Sequence, residues 1–335
     1  MDSSVNTSAN HPYIPSTDSE RAEMLDVIGV DSLDGLLGDI PVEHRHPKLA
    51  IDAGLSEQEL STVFRAIAAE NASSSSGYIS FLGAGSYSHY IPSTVRSILQ
   101  RGEFVTAYTP YQPEAAQGTL QVGFEFQTII CQLTGMEVAN AGMYDGPTAF
   151  AEACLMAARV TKRTKIGVLS TSDRRLPDTL LAYSKYQGIE IVEISADATE
   201  IPDDLACVGV QSPNFFGEIE DVERLTNLAH TNGALSVVHV NPTALGMFKA
   251  PGEFDVDIVT AEGQPLGVPM AFGGPYVGLF ACKKAHIRQM PGRIIGRTTD
   301  TKGRIGYALT LQTREQHIRR ERATSNICTS TQLIG

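Results

Sequence analysis

The sequence has no tryptophan, only five cysteines among 335 residues, and fewer basic than acidic side chains. The cysteines are scattered, odd in number and form no CxxC pair. This argues against a disulfide framework or a zinc site and favours reduced thiols in a cytoplasmic protein. With 26 Lys and Arg against 38 Asp and Glu, the formal charge is −12. A chain this acidic has an unfavourable long-range field for the phosphates of nucleic acids.

Several other signatures are missing. No apolar run approaches the ~20 residues that a membrane-spanning helix needs, and the first residues lack the basic and apolar regions of a signal peptide. There is no P-loop, no GxGxxG turn after a first strand and no GxSxG elbow. His44-x-His46 has no further ligands nearby, so no metal site is predicted. These absences leave a soluble intracellular enzyme or enzyme subunit with neither a membrane nor a nucleic acid as partner.

The chain changes character along its length. Residues 1–72 contain short helical patterns, one of which opens with the capping box Ser56-Glu57-Gln58-Glu59, and are predicted to form a helical N-terminal arm. A serine-rich hinge at 73–76 leads into residues 73–287, the predicted large domain. Residues 288–335 are denser in charge and stop abruptly, so we expect the beginning of a small C-terminal domain that the chain does not complete.

Short apolar strands alternate with amphipathic helices in the large domain. This alternation predicts a mostly parallel sheet covered by helices on both faces. The predicted strands are residues 166–169, 190–194, 206–210, 234–240, 256–260 and 276–281, and the predicted helices are 114–133, 146–160, 177–186 and 222–230.

Two loops, 81–92 and 108–114, place polar aromatic, imidazole and hydroxyl groups between glycines and prolines, outside any helical period. Such groups on irregular backbone usually line a site or an interface, because a core would leave their hydroxyls unpaired. A purely structural loop remains the alternative. The candidate site residues are Tyr87, Ser88, His89, Tyr108, Tyr111, Gln112 and Glu114.

The helix predicted at 146–160 opens with Asp145-Gly146-Pro147, a pattern that predicts free N–H groups where a phosphate group would bind. Tyr144 and Asp145 are therefore candidate cofactor contacts. The order of a loop, a long helix and a Gly-opened helix is typical of pyridoxal-phosphate enzymes with the aminotransferase-like fold.

Longer strings carry a more specific resemblance. The segments YTPYQPEAAQGTLQ, LTGMEVANAGMYDGPTA, AEGQPLG, FGGP, PGRIIG and LTLQTREQHIRRERATSNICT resemble the P-protein family of glycine decarboxylases. The similarity is to the N-terminal half of that family, a separate first subunit in many bacteria and archaea, and runs from about His11 to the end of the chain. It implies fold type I: a three-layer α/β/α domain with a mostly parallel sheet, a helical N-terminal arm and a truncated C-terminal portion.

The same resemblance bears on the cofactor. Counted back from the shared GGP turn, Gln264 stands where the related second subunit carries its Schiff-base lysine. Asn241, not an acid, follows the strand that usually supplies the partner of the pyridine nitrogen. The resemblance thus implies that pyridoxal phosphate is held by the second subunit and is not bound covalently here.

For function, the resemblance implies a subunit of an oxidoreductase of the glycine cleavage system. The assembled enzyme, a heterodimer or heterotetramer, would decarboxylate glycine and pass the aminomethyl group to the lipoyl arm of the H-protein. This chain would complete the site at the interface, its phenols and imidazole donating to the substrate carboxylate or the cofactor phosphate.

Two alternatives to this function remain open at this stage. The chain could be a non-catalytic scaffold that only stabilises its partner, or a self-sufficient pyridoxal enzyme with an unrecognised lysine. The basic segment from Arg314 to Arg322 could form a salt-bridged helix face or a surface that binds an anion or a carrier protein.

Overall fold

The computed structural model describes residues 15–48, 50–52, 54–73, 76–271 and 273–335. The chain divides into two compact units, one ending at Ala72 and the other running from Ser73 to Gly335. Residues 74 and 75 of the expected hinge and Phe272 of the FGGP string lie outside the described residues. No helix in the described ranges is long and apolar enough to cross a membrane.

The first unit contains α1 (Asp18–Ile28) and α2 (Glu57–Ala69), with 3-10 turns at Leu33–Leu37 and Val42–His44. Each α-helix begins with a capping box, in which a hydroxyl accepts the N3 amide while the N3 glutamate accepts the N-cap amide. These caps satisfy amides that would otherwise lack a helical partner. The box predicted at Ser56 is confirmed.

The second unit contains the sheet and the remaining helices. Its helices are α3 (Ser93–Leu99), α4 (Gly102–Val105), α5 (Gln117–Thr134), α6 (Gly146–Thr161), α7 (Arg175–Ser184), α8 (Val222–Thr231), α9 (Gln316–Arg319) and α10 (Thr329–Ile334). Its strands are β1 (Val138–Ala139), β2 (Lys165–Leu169), β3 (Glu190–Ile194), β4 (Leu205–Gln211), β5 (Leu235–Val240), β6 (Ile258–Glu262), β7 (Gly278–Cys282), β8 (Ile294–Thr299) and β9 (Ile305–Thr310).

In the described part of the chain, strands β1 to β7 form a seven-stranded sheet in the order β1-β7-β6-β5-β4-β2-β3. Strands β2 to β6 run parallel, whereas β7 is antiparallel to both of its neighbours. Helices α6 and α7 pack on one face and α5 and α8 on the other, each over buried apolar strand residues. The predicted three-layer α/β/α architecture with a mostly parallel sheet is confirmed.

Some element boundaries differ from the sequence prediction. Helix α5 begins at Gln117 and not at Glu114, because Pro113–Ala115 forms a separate 3-10 turn and Ala116 has a non-helical backbone. Strand β6 lies two residues later than expected. The segment 314–322 is not one helix: Gln312–Arg314, α9 and Arg320–Arg322 are separate short pieces, with a positive φ at Arg320.

The hairpin β8–β9 was not predicted from the sequence. It packs on α5, where Leu120 joins Ile295 and Leu309 in a small buried cluster. Gln127 of α5 pairs with the backbone of Ile295 as a strand would, accepting its N–H at 2.8 Å and donating to its carbonyl at 2.9 Å. Because these bonds join positions 168 residues apart, no local pattern indicates them.

Candidate functional site

A cleft of about 690 Å³ lies in the second unit at the carboxyl ends of β4, β5 and β6. Open parallel sheets bind their ligands at this edge, where the strand ends and the following helix N-termini meet. The lining includes residues 81–87 of the first predicted loop, Asp145 before α6, and Glu262 at the end of β6. This cleft is the candidate functional site of the chain.

The N-terminus of α6 points into the site but is already occupied by carboxylates. Gly146 donates its N–H to Glu262 Oε2 at 2.8 Å, and Thr148 donates its N–H to Asp145 Oδ1 at 2.8 Å. The residue between them is Pro147, which has no N–H. The prediction of free N–H groups for a phosphate is therefore wrong, because the chain's own acids have taken them.

Close packing explains why the first residue of α6 is glycine. A Cβ on Gly146 would lie 2.9 Å from Cβ of Glu262 and 3.0 Å from the His239 ring. Any larger residue would push the helix away from the strand ends. The helix N-terminus and the end of β6 are thus held together as one unit.

Gln264, at the expected lysine position, is only 2% exposed and has both ends of its amide bound. Its Oε1 accepts the N–H of Tyr87 at 2.9 Å, and its Nε2 donates to the carbonyls of Tyr87 at 3.0 Å and Val268 at 2.8 Å. The side chain therefore holds the first loop against the strand ends. A glutamine suits this position because it offers both an acceptor and donors on one rigid amide.

Burial dominates the titration of two groups in the cleft. It raises the pKa of the Glu262 carboxyl to about 7, although Gly146 and Gln264 donate backbone N–H groups to it. It lowers the pKa of His239 to about 4, so this imidazole is neutral at pH 7. His239 Nδ1 lies 3.0 Å from Thr260 Oγ1, and its ring meets Phe150 edge-on.

Asp173 and Arg175, which both line the cleft, form a salt bridge. The guanidinium Nε lies 3.0 Å from Asp173 Oδ1, and a second nitrogen binds the other oxygen. Burial opposes the charge of Asp173, but the hydrogen bonds and charge of Arg175 outweigh it and lower the pKa of that carboxyl. In the described lining Arg175 is the one permanent cation, and it is already paired, against the acids Asp145, Asp173 and Glu262.

The structure places the first predicted loop partly in the cleft. Tyr87 lines the site through its backbone and ring, with the His89 ring 6.5 Å away between centroids. Ser88 and His89 are exposed and follow the last loop residue that lines the cleft. Their roles toward a substrate stay predictions.

The second predicted loop lies elsewhere in the unit. Tyr111 donates its hydroxyl to Glu315 Oε2 at 2.9 Å, and the Arg293 guanidinium lies 5.5 Å from the centre of its ring. Tyr108 is 80% exposed, and Gln112 and Glu114 are exposed beside the 3-10 turn before α5. None of these residues is among the described residues that line the strand-end cleft.

Tyr144 also stays outside the cleft. A hydrogen bond to Cys328 is the largest influence on its phenol and, with partial burial, raises its pKa. Asp145 lines the cleft, but its side chain caps α6. Sequence reasoning missed Asp173, Arg175, His239 and Glu262. The signal was their position just after or at the end of predicted strands, which parallel sheets bring to a single edge.

Comparison with known proteins identifies the family. The family model for the glycine cleavage system P-protein matches residues 11–335. The chain is 52% identical over 333 residues to a probable glycine dehydrogenase (decarboxylating) subunit 1 of Desulforamulus reducens, and the match covers 96% of this chain and 74% of the relative. It is 50% identical, with the same coverage, to the protein of that name from Geobacillus kaustophilus. The chain belongs to the glycine cleavage system P-protein family.

Solved structures agree with this assignment. A glycine decarboxylase (P-protein) of the glycine cleavage system, in inhibitor-bound form, matches with a TM-score of 0.87 and 43% identity over 96% of this chain and 74% of that one. A sphingosine-1-phosphate lyase from Burkholderia pseudomallei matches with a TM-score of 0.52 over 88% of this chain, but at 12% identity. That second likeness shows the fold alone.

The P-protein family depends on pyridoxal phosphate, but this chain's own cleft does not fit that cofactor. None of its described lining residues is a lysine that could form a Schiff base. Carboxylates occupy the helix N-terminus where a phosphate would bind, and the buried amide of Gln264 fills the expected lysine position.

Proposed function

We propose that this chain is the first of two P-protein subunits in a glycine dehydrogenase and completes an active site whose cofactor is held by the second subunit. In the complete reaction glycine loses CO₂ and its aminomethyl group passes to the lipoyl arm of the H-protein. The observation that carries the division of labour is the hydrogen bonding at this strand edge, where the Gln264 amide binds the loop backbone and Glu262 and Asp145 accept the N–H groups at the start of α6. We place the assembled enzyme in the cytoplasm.

The rim of the cleft supports a partner at this face. Phe81 and Leu82 are 94% and 88% exposed, and Phe216, which lines the same cleft, is 70% exposed. Large apolar side chains gathered at one edge usually mark a protein interface. Obligate interfaces commonly bury more than ~2,000 Å² in total, which would cover this rim and the loop behind it.

In this arrangement the chain contributes polar groups to an active site whose cofactor is held by the second subunit. His89 and Ser88 are exposed beyond the point where Gln264 holds Tyr87. Gln264 fixes the loop's backbone, so these side chains extend from a positioned segment. We assign His89 to orienting the substrate carboxylate or the cofactor phosphate through hydrogen bonds.

The test is glycine-dependent CO₂ exchange by the complex assembled with the second subunit. His89→Ala should lower the rate by about 30- to 1,000-fold, corresponding to about 2–4 kcal/mol of lost transition-state stabilisation, with assembly unchanged. Tyr186→Phe is the matched control, because Tyr186 is 90% exposed and lies outside the cleft lining. Full activity of the His89 variant in an intact complex would favour the non-catalytic scaffold.

A further inference from the structure

A second cleft, of about 590 Å³, lies in the same unit and shares no lining residue with the strand-end cleft. It is bounded by the second half of α6, the turn before β8 and residues 319–325. Five arginines line it against two carboxylates, although the whole chain carries a formal charge of −12. The arginines are Arg159, Arg288, Arg314, Arg319 and Arg322, and the acids are Glu152 and Glu321.

Two of the arginines donate hydrogen bonds to backbone carbonyls around the cleft. Arg314 donates to the backbone carbonyls of Met290 and Gly292, the second at 3.1 Å, while its buried Nε has no hydrogen-bond partner. Arg159 donates to the carbonyl of Gln289 at 3.4 Å. Burial lowers the pKa of both guanidiniums, because it removes positive charge from water without fully compensating it.

The two acids do little to neutralise the cleft. Glu152 is 5% exposed and accepts a hydrogen bond from Asn326 at 3.1 Å. Glu321 lies 3.9 Å from Arg322, but both side chains are about four-fifths exposed, and such a pair is weak in water. The cleft thus keeps an excess of three positive charges over its described lining.

We propose that this arginine cleft binds a small oxyanion carrying two or more negative charges, such as a phosphate compound or a polycarboxylate. Guanidinium groups bind these anions through paired, charge-assisted hydrogen bonds, and several converging arginines select for multiple charges. The volume lies within the range of small-molecule sites. The proposal does not depend on the function assigned to the strand-end cleft.

The test is calorimetric titration of the full chain, alone and assembled with the second subunit, with inorganic pyrophosphate and separately with citrate. The double variant Arg319→Gln/Arg322→Gln should raise the Kd at least ~10-fold. Both side chains are exposed, so folding should be unaffected, whereas changing Arg314 would release two backbone carbonyls. Arg174→Gln is the control, because Arg174 is 90% exposed and lies outside both clefts.

The titrations have results that would support the anion site and results that would overturn it. Saturable binding that weakens with salt and in the double variant supports the site, and a preference for pyrophosphate or for citrate identifies its chemistry as phosphate or carboxylate. No saturable binding up to about 10 mM of either anion, a range reaching beyond millimolar affinity, would overturn the proposal. So would a double variant that binds like the wild type, or binding that the free chain shows and the assembled complex loses.

Discussion

The two loops at 81–92 and 108–114 have nearly the same chemistry, yet the structure uses them differently. Both carry two tyrosines, beside glycines and a proline in the first loop and beside prolines in the second. The first lines the strand-end cleft, where Gln264 holds it. The second packs against the C-terminal part of the unit, where Tyr111 meets Glu315 and Thr109 meets Thr329.

The two loops differ in the residues to which they are hydrogen-bonded, and these residues lie far from them in the sequence. Tyr87 pairs with a residue 177 positions away, and Tyr111 with one 204 positions away. The first partner follows a central strand of the sheet and the second follows the β8–β9 hairpin. A polar, irregular loop therefore indicates that a side chain will find a polar partner, but the topology decides whether that partner belongs to a cleft.

The largest expected effect comes from removing the partner of the first loop. Gln264→Leu should lower the free energy of unfolding by about 2–4 kcal/mol, because three part-buried hydrogen bonds are lost and backbone groups of Tyr87 and Val268 are left unpaired. Chemical denaturation measures the loss, and amide hydrogen exchange should show faster exchange at Tyr87. Gln121→Leu, at an exposed position on α5, is the control. An unchanged stability of the Gln264 variant would show that the loop is held in some other way.

The next prediction concerns the pH dependence of stability that the Glu262 carboxyl causes. Its folded-state pKa of about 7 lies above the ordinary value of 4.5, so the native state binds more protons between these values and loses stability as pH rises through them. The contribution is on the order of 1–3 kcal/mol. The free energy of unfolding of Glu262→Gln, measured from pH 4.5 to 8, should therefore fall less than that of the wild type over this window.

His239, in the same cleft, should change the stability with pH in the opposite direction. Its pKa of about 4 lies below the ordinary 6.5, so the unfolded state binds more protons between these values and the native state gains stability as pH rises through them. The variant His239→Gln should lose that gain, while Glu262→Gln keeps it. Parallel pH profiles for the two variants would contradict the assignment of separate burial effects.

A smaller effect is expected in the second loop. Tyr111→Phe removes the hydrogen bond to the buried Glu315 and the one that Arg293 donates to the hydroxyl at 3.4 Å, but it keeps the ring near the Arg293 guanidinium, so unfolding should cost about 1–2 kcal/mol less. Tyr186→Phe, at an exposed ring, should change nothing. Glycine-dependent CO₂ exchange by the assembled complex then tests whether Tyr111 also contributes to the reaction. A rate loss much larger than the stability loss would return this loop to the active site, as its sequence suggested.

The sequence predicted the fold well because the signals are local. Most of the parallel strands are short, largely apolar runs, and the glycine that ends α5 lies in the left-handed region at φ 71°, a position suited to that residue. The missed hairpin β8–β9 has half-exposed strands and depends on Gln117 and Gln127 of a distant helix. Such pairing has no local period to detect.

The site was less accessible to sequence reasoning, and Asp145 shows why. A helix opening with Gly and Pro correctly indicated an N-terminus near a site. That its amides are already taken depends on Glu262, 116 residues away from Gly146. The family resemblance singled out Gln264 as the residue at the expected lysine position, which stays a prediction, whereas its hydrogen bond to the backbone of Tyr87 is seen only in three dimensions.

The smallest expected effect is none at all, and it tests whether a lysine at position 264 would let this cleft bind pyridoxal phosphate covalently. Gln264→Lys in the isolated chain, incubated with pyridoxal phosphate and borohydride, should yield no reduced adduct by mass spectrometry. The new amine would stand beside a helix N-terminus whose amides remain bound to Glu262 and Asp145, so the cofactor phosphate would meet carboxylates and not free N–H groups. The second subunit treated in the same way serves as the positive control. A stoichiometric adduct on residue 264 would show that the carboxylates yield to a phosphate and that the lysine was the deciding loss.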